Sequence, residues 1–423
     1  MMLILTNFAN PIHFMKNLTH TFANGIRLVY LENPSPVSHC GLMIGAGSRN
    51  ETKGKEGLAH FIEHVLFKGT KKRKAYQVLN RLEIVGGELN AYTTKEETCV
   101  HASFMPVHFE RAVELIVDIV FHSEFPVKEI EKEKDVVLDE INSYLDNPIE
   151  QIYDDFECQI FKGKPLGNPI LGTHQSVKSF TRKDILSFIK NNYLNGDIVF
   201  SYTGDIPFEK VKSIVESHLS REGKRGESAK IVALKKLKAT NVVEIKKTVQ
   251  AHYIAGSLAY SCFSSKRFPL FLLNNILGGP GMNSKLNLNI REKYGLTYHI
   301  ESAYVPFSDC GLFNIYLATE NKFLEKCIKL VDTEFDKLMN VRIGAGMLSR
   351  YKYQLKGQIA ISQENKAGVM LNNAKSTLNY NKPVNINEVF RKIDEVTASQ
   401  ILDVANEILD KSKISSLLYS PAT

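Results

Sequence analysis

The sequence predicts an α+β protein of two homologous domains, each a mostly antiparallel sheet covered by helices. A length of 423 residues exceeds what one hydrophobic core ordinarily supports, which favours two domains. In both halves, apolar runs typical of strands are followed by long amphipathic helices. Similar helices also recur in the two halves at a spacing of roughly 215 residues, which indicates a duplicated domain.

The elements follow an order that is typical of α+β proteins. Strand-like runs include IRLVYLE and ETCVHASF in the first half, and AHYIAGSLAY and CGLFNIYLAT in the second. Amphipathic helices are predicted over 128–145 and 182–193. Because strands and helices do not alternate regularly, a largely antiparallel sheet is favoured over βαβ units.

A polar segment near the midpoint marks the boundary between the predicted domains. The stretch SREGKRGESAK carries glycine and mixed charge, as linkers do. On either side of it, the helices HFERAVELIVDIVF and KFLEKCIKLVDTEF match each other in the repeat. The predicted organisation is an N-terminal domain, a linker and a C-terminal domain, at 1–220, 221–235 and 236–423.

Composition limits the classes of function. Hydrophobic residues make up 43% and charged residues 23% of the chain, as in globular proteins. No apolar run approaches the roughly 18–20 residues that span a bilayer, so no membrane insertion is expected. The net charge of +7 is spread along the chain, and its densest basic runs, 68–74 and 235–238, are interpreted as solvated loops. Nucleic acid is therefore not expected as a partner.

The cysteines and the N-terminus bear on localisation. Six cysteines lie far apart with no CxxC pair, which favours a reducing cytoplasm. The first apolar stretch has no basic residue before it and no clear cleavage site, so no targeting segment is expected. Translation could begin at Met1 or at Met15.

The stretch HFIEH is the first candidate for chemistry. On a helix His60, Glu63 and His64 share one face, because residues three and four apart are neighbours. Two imidazoles at this spacing can chelate Zn²⁺, with the glutamate beside them to take a proton from water on the metal. The alternative is a polar stripe on an exposed helix. The surrounding apolar residues favour a metal, because partly buried histidines need partners.

A second segment, EIEKEKDVVLDEINSYLD, offers a third ligand. Glu133, Val137, Glu140 and Tyr144 fall at i, i+4, i+7 and i+11 on one helical stripe. Two glutamates on this stripe favour one metal ligand and one supporting group. The spacing leaves Asp139 open as the ligand.

Together these segments resemble the pitrilysin/insulysin group of inverzincin metallopeptidases, especially its short bacterial members similar to mitochondrial processing peptidase. That family combines HxxEH with a glutamate about 76 residues after the second histidine, where this chain has Glu140. The resemblance implies that His60, His64 and Glu140 bind one zinc ion and that Glu63 is the general base. It also implies a supporting role for Glu133.

Other blocks extend the resemblance over most of the chain. FKGT, GGELNAYTTKEET and PLGNPILGT are all similar to family segments. In the second of these, the resemblance implies that Asn90, Ala91 and Thr93 lie on an edge strand. Such a strand can pair with an extended peptide through its free backbone groups.

The second half adds a candidate pair of substrate-binding residues. The segment LGGPGMNSKLNLNIREKYGLTYHIES is similar to a glycine-rich family block, although it inserts Pro280. The resemblance implies that Arg291 and Tyr298 bind the substrate carbonyl or its tetrahedral intermediate, as donors to a developing oxyanion. Without the resemblance, Arg291 would be interpreted as a helix-surface residue and Tyr298 as a strand residue.

The expected function is that of a zinc-dependent endopeptidase acting on peptides or short unfolded segments. The second half lacks HxxEH in RFPLFLLNNIL, so one zinc per chain is expected. The chain has about half the length of the family's full clamshell. The resemblance therefore implies a homodimer, or a heterodimer with a related chain. In such a dimer, Arg291 and Tyr298 of each chain would act at the metal site of the partner. Two alternatives are a non-catalytic or partner-dependent subunit and a zinc-stabilised binding protein. The complete set of ligands together with Glu63 argues against a non-catalytic subunit and against a binding protein, whereas dependence on a partner chain stays open.

Overall fold

The computed structural model describes residues 17–194, 196–222 and 238–422. We call the part up to residue 222 the N-terminal half and the part from residue 238 the C-terminal half. Both possible start residues and most of the predicted linker lie outside the described residues. The domain boundaries therefore remain a prediction.

The N-terminal half contains a six-stranded sheet with the order β1-β2-β6-β3-β5-β4. Only β2 and β6 are parallel among its neighbouring pairs, and β4 lies at one edge. The strands are β1 Asn17–Thr21, β2 Arg27–Glu32, β3 Ser38–Ile44, β4 Glu88–Thr93, β5 Thr98–Phe104 and β6 Ile198–Gly204.

The C-terminal half contains a five-stranded sheet with the order β7-β11-β8-β10-β9. Its one parallel pair joins β7 and β11, and β9 lies at the edge opposite β7. The strands are β7 Asn241–Lys246, β8 Ala251–Ala259, β9 His299–Pro306, β10 Gly311–Thr319 and β11 Ser415–Pro421.

Helices cover both sheets, and their order is similar in the two halves. The helices of the N-terminal half are α1 Leu58–Leu66, α2 Ala75–Glu83, α3 Phe109–His122, α4 Val127–Leu145, α5 Pro148–Ile160, α6 His174–Lys178, α7 Arg182–Phe188 and α8 Phe208–Leu219. Those of the C-terminal half are α9 Arg267–Gly278, α10 Leu324–Asn340, α11 Ala345–Ser362, α12 Lys366–Tyr380, α13 Ile386–Asp394 and α14 Ala398–Ile408.

Each half also packs one helix against the sheet of the other half, and we call these two helices, α5 and α12, the exchanged helices. On α5, Phe156 is fully buried in a cluster with Ile254 and Tyr316 of the C-terminal sheet. On α12, Ala374 packs against Val29 and Met43 of the N-terminal sheet. Since each outer sheet face is completed by the opposite half, the two cores depend on each other.

The structure confirms the predicted α+β class with two sheet-and-helix halves. The helix predicted over 128–145 is α4, whereas that over 182–193 is divided into α7 and a π-helical segment, Ile189–Tyr193. Across the described ranges, no helix is both long and apolar enough to cross a bilayer.

Candidate metal centre

A buried carboxylate holds the start of the motif helix. Glu51 accepts hydrogen bonds from the backbone N–H groups of Gly57, at 3.0 Å, and Ala59, at 2.8 Å. A carboxylate at this position interacts favourably with the helix dipole. Burial nevertheless raises the pKa of Glu51 to about 8, and the two backbone hydrogen bonds oppose that rise. Sequence reasoning missed this residue, because it lies outside the usual capping spacing.

The N-cap position requires glycine. Gly57 has a φ of 91°, in the left-handed region, and a Cβ there would lie 2.6 Å from the Cα of Gly172. Gly172 belongs to the block PLGNPILGT, so this block packs directly against the start of α1. The contact fixes where the HFIEH helix begins.

Three of the predicted residues converge on one point. His60 and His64 lie one turn apart on α1, with ring centroids separated by 4.6 Å. Helix α4 places Oε2 of Glu140 3.8 Å from Nε2 of His60 and 3.4 Å from Nε2 of His64. One ligand atom from each residue lies within 4.8 Å of the others. Asp139, the alternative ligand, is exposed and lies outside this cluster.

This donor set fits a zinc ion. Tetrahedral Zn²⁺ with bonds of about 2.0–2.1 Å holds its ligand atoms about 3.3 Å apart, close to the two separations from Glu140. Two imidazoles and one carboxylate also leave a fourth position open for water or substrate, as in catalytic zinc sites. We conclude that His60, His64 and Glu140 are able to hold zinc with little rearrangement.

Glu133 and Lys68 orient His64. The Nδ1 of His64 donates to Oε1 of Glu133 at 3.0 Å, and Nζ of Lys68 lies 2.7 Å from Oε2. Burial favours the protonated form of Glu133, but the hydrogen bonds from His64 and Lys68 outweigh burial and lower its pKa. An ionised Glu133 fixes the tautomer of His64 in which Nε2 faces the metal position. Lys68 could not be identified from the sequence, because its partner Glu133 lies on α4, distant along the chain.

Acidic neighbours favour the protonated form of His64. Burial favours its neutral form, but hydrogen bonds to Glu133 and Glu140 raise its pKa to about 9. Burial and the neighbouring His64 lower the pKa of His60 to about 4. Because a histidine binds a metal in its neutral form, a metal at this position would displace a proton from His64.

Glu63 lies beside the cluster on the same helix. Its Oε2 is buried and has no hydrogen-bond partner among the described residues. Burial raises the pKa of Glu63, and a hydrogen bond with Thr93 opposes the rise. A carboxylate with a raised pKa next to a metal position suits proton transfer near neutral pH.

The predicted edge-strand residues are divided between two faces of β4. Thr93 contacts Glu63, and Ala91 packs on the same side against the N-terminal core. Asn90 is exposed and points to the opposite face, because side chains alternate along a strand. In the described part of the chain, β4 pairs with β5 alone, so its other edge is open.

Arg291 and Tyr298 are not brought to the metal cluster of their own chain. Arg291 lies in a π-helical segment and approaches Glu292 at 3.7 Å. Tyr298 is 87% exposed and precedes β9 by one residue. Among the described residues, neither forms a hydrogen bond or ion pair with His60, His64 or Glu140.

Further carboxylates lie beyond Glu140. The pKa of the Tyr144 phenol is raised by burial and then by Glu150, Asp154 and Glu140. Burial also raises the pKa of Asp154 to about 6, which Lys95 opposes. Glu150 and Asp154 of α5 therefore act on Tyr144, which lies one turn beyond Glu140 on α4, and we call these two carboxylates the acidic wall. The sequence analysis did not identify it.

Two sheet-and-helix halves with a His₂Glu donor set and an adjacent glutamate describe a metalloprotease of the inverted HxxEH class. Residues 27–174 match the family model for insulinase, peptidase family M16. Residues 179–355 match the model for the peptidase M16 inactive domain. The chain belongs to peptidase family M16.

Bacterial relatives of similar length carry the same description. The chain is 30% identical to the uncharacterized zinc protease YmxG of Bacillus subtilis, over 94% of this chain and 97% of that protein. It is 33% identical to an uncharacterized zinc protease of Rickettsia felis, over 89% of this chain and 91% of that protein. Membership of a zinc protease family therefore extends over nearly the whole chain.

Solved structures share the fold. A protease from Helicobacter pylori matches with a TM-score of 0.89 at 22% identity, covering 96% of this chain and all of that chain. A peptidase M16 inactive domain from Pseudomonas fluorescens matches with a TM-score of 0.88 at 22% identity, covering 97% and 98%. At this level of identity the comparison concerns the fold alone.

Proposed function

We propose that this chain is a zinc-dependent endopeptidase that hydrolyses peptides or short unfolded polypeptides. The observation that carries the proposal is the convergence of His60, His64 and Glu140 beside a buried, unpaired oxygen of Glu63. A purely structural zinc site would require a fourth protein ligand, and it would not need a base beside the metal. Three candidate ligands and a carboxylate suited to acid–base chemistry therefore support a catalytic site over a structural one.

The residues of the chain divide the reaction between them. Zinc held by His60, His64 and Glu140 would supply a Lewis acid that activates water and polarises the scissile carbonyl. Glu63 would accept the proton of the attacking water at Oε2 and deliver it to the leaving amine. Glu133, held by Lys68, would keep His64 in the tautomer that faces the metal.

The edge strand favours extended substrates. The open edge of β4 would pair with the backbone of a peptide, and main-chain hydrogen bonds tolerate many sequences. Thr93 would place that peptide next to Glu63, which it contacts. A folded protein seldom offers such a free extended segment, so peptides and unfolded segments are the substrates proposed.

A peptide-cleavage assay tests whether the chain is a zinc-dependent endopeptidase. A fluorogenic peptide library should be hydrolysed by the purified chain, and a chelator should abolish hydrolysis until zinc is restored. Glu63→Gln should bind one zinc per chain and be inactive, because only the proton acceptor is lost. Chelator-insensitive hydrolysis, or full activity in the zinc-loaded variant, would refute the mechanism.

We further propose a homodimer in which Arg291 and Tyr298 act on the partner's metal centre. Tyr298 is 87% exposed and, among the described residues, forms no hydrogen bond with the cluster of its own chain, which supports this arrangement. The alternative is a processing-peptidase-like heterodimer, in which a related chain supplies the missing pair. Light scattering on the purified chain would measure its oligomeric state.

Mixing two inactive variants would show which chain supplies the pair. Glu63→Gln lacks the base, and Tyr298→Phe lacks the phenol donor. If the pair acts across the dimer, a mixed dimer has one complete site and recovers activity. If it acts within one chain, the mixture stays at the activity of the separate variants. An inactive homodimer rescued by a related chain would favour the heterodimer.

A further inference from the structure

The turn that ends the edge strand carries three consecutive charged residues. Lys95, Glu96 and Glu97 join β4 to β5, and Thr94 closes the turn by accepting N–H groups at its hydroxyl. Lys95 is 5% exposed and Glu97 is 4% exposed. Burying a charged side chain is costly unless it is paired. The partners of these three residues therefore show which segments the turn connects.

Lys95 ties the turn to the N-terminal half. Its Nζ donates to the backbone carbonyl of Asn168 at 2.7 Å and lies 3.3 Å from Oε2 of Glu157. Asn168 belongs to the block PLGNPILGT, and Glu157 lies on α5, the helix that covers the C-terminal sheet. One side chain thus connects the turn to two other segments.

Glu96 ties the turn to the C-terminal half. Its Oε2 accepts the backbone N–H of Ser308 at 2.9 Å, and its Oε1 accepts from Arg49 at 2.6 Å. Arg49 in turn forms a bidentate pair with Asp309, at 2.9 and 2.6 Å. Ser308 and Asp309 form the turn between β9 and β10, so two hairpin tips are joined by charged hydrogen bonds.

Glu97 adds a second connection to the C-terminal half. Lys375 on α12 donates to its Oε1 at 2.6 Å. The backbone of the turn is also hydrogen-bonded. The N–H of Ser48 donates to the carbonyl of Thr94 at 3.0 Å, and the N–H of Arg49 donates to the carbonyl of Lys95 at 2.8 Å. A Cβ on Gly47 would lie 2.2 Å from the Thr94 carbonyl oxygen, so only glycine allows this approach.

We infer that Lys95, Glu96 and Glu97 are positioning residues that preorganise β4 for peptide binding, an inference that rests on the proposed function. Thr93, which contacts Glu63, immediately precedes this turn. Holding the turn at both halves fixes the end of the edge strand and its distance from the base. Because this end of the strand is already ordered, a peptide that pairs with it binds without the conformational-entropy loss of ordering it.

The test uses Glu96→Gln, which removes the charge but keeps the size of the side chain. Peptide binding is measured by fluorescence anisotropy in a zinc-loaded Glu63→Gln background, with a labelled peptide that the unaltered chain cleaves. We expect about five- to tenfold weaker binding, equivalent to one main-chain hydrogen bond. Zinc affinity should not change. In the catalytic background, KM should rise with little change in kcat.

Arg27→Gln is the matched control, because Arg27 also joins the two halves. It donates from β2 to the Thr377 carbonyl of α12 at 2.8 Å, away from the β4 edge of the sheet. This variant should leave peptide affinity and KM unchanged. An equal loss of affinity in Arg27→Gln would show a general effect of loosening the halves and would overturn the inference.

A second variant covers the case in which Glu96→Gln does not fold. Lys375→Met removes the partner of Glu97 at a half-exposed position and should weaken peptide binding in the same direction. Unchanged binding in both folded variants would overturn the inference while leaving the proposed function intact. If the Glu63→Gln parent binds no peptide and the unaltered chain cleaves none, the proposed function fails, and the inference fails with it.

Discussion

His64 donates from Nδ1 to Oε1 of Glu133 at 3.0 Å, and Lys68 approaches the other oxygen of that carboxylate at 2.7 Å. This relationship links the imidazole to a buried carboxylate that is paired with the half-buried Lys68. The orientation of this proposed metal ligand therefore depends on a residue of the neighbouring helix α4.

Glu133→Gln should therefore weaken zinc binding by about 10- to 100-fold, the usual effect of removing an outer partner of a ligand. Competition with a chromogenic chelator measures this loss directly. The control is Glu131→Gln on the same helix, where the side chain is 60% exposed and pairs with Lys134. Equal zinc affinities in the two variants would contradict a role for Glu133.

Glu51 predicts a pH-dependent stability. Its pKa of about 8 in the folded chain lies above the ordinary value, so the folded state binds the proton more tightly. That contribution is fully present below the unfolded pKa of about 4.3 and is lost as pH rises through 8. Urea unfolding of the unaltered chain and of Glu51→Gln measures the difference between their free energies of unfolding. As pH rises over this window, we expect the unaltered chain to lose stability relative to Glu51→Gln. A constant difference would contradict the assignment.

The exchange of helices predicts cooperative unfolding of the whole chain. Because α5 completes the C-terminal core and α12 completes the N-terminal core, the two halves should unfold in one transition. Phe156→Ala should lower the free energy of unfolding by about 3–5 kcal/mol. Far-UV circular dichroism in urea measures both quantities.

Leu145→Ala is the control for this loss, because Leu145 is 50% exposed. It should change stability by no more than about 0.5 kcal/mol. Two separated transitions in the unaltered chain would show that the exchanged helices do not couple the halves.

The acidic wall predicts a preference for basic substrates. Glu150 and Asp154 act on Tyr144, one helical turn beyond Glu140, so we expect an arginine beside the cleaved bond to find carboxylate partners there. Asp154→Asn should raise KM for an arginine peptide about tenfold, as expected for one charged hydrogen bond of about 1.5 kcal/mol. KM for the matching alanine peptide should not change.

Asp135→Asn is the comparison for this effect, since Asp135 is exposed on α4. It should leave KM for both peptides unchanged. Equal effects of Asp154→Asn on the two peptides would show that Asp154 does not contact the basic side chain.

Local periodicity accounts for what could be predicted from the sequence. His60, Glu63 and His64 share a face because a helix repeats every 3.6 residues, and the same rule aligned Glu133 with Glu140. Alternating and continuous apolar runs indicated the strands, and the order of elements indicated an antiparallel sheet. These inferences depend on neighbours within a few residues, which a sequence displays directly.

Contacts between distant segments required the three-dimensional structure. Spacing favoured Glu140 but did not exclude Asp139 as the ligand, and only the packing of α4 on α1 places Glu140 at the imidazoles. Neither the exchange of α5 and α12 nor the partners of Lys68 and Glu96 follow from periodicity. Each depends on which surfaces exclude water together, and that is a property of the folded chain.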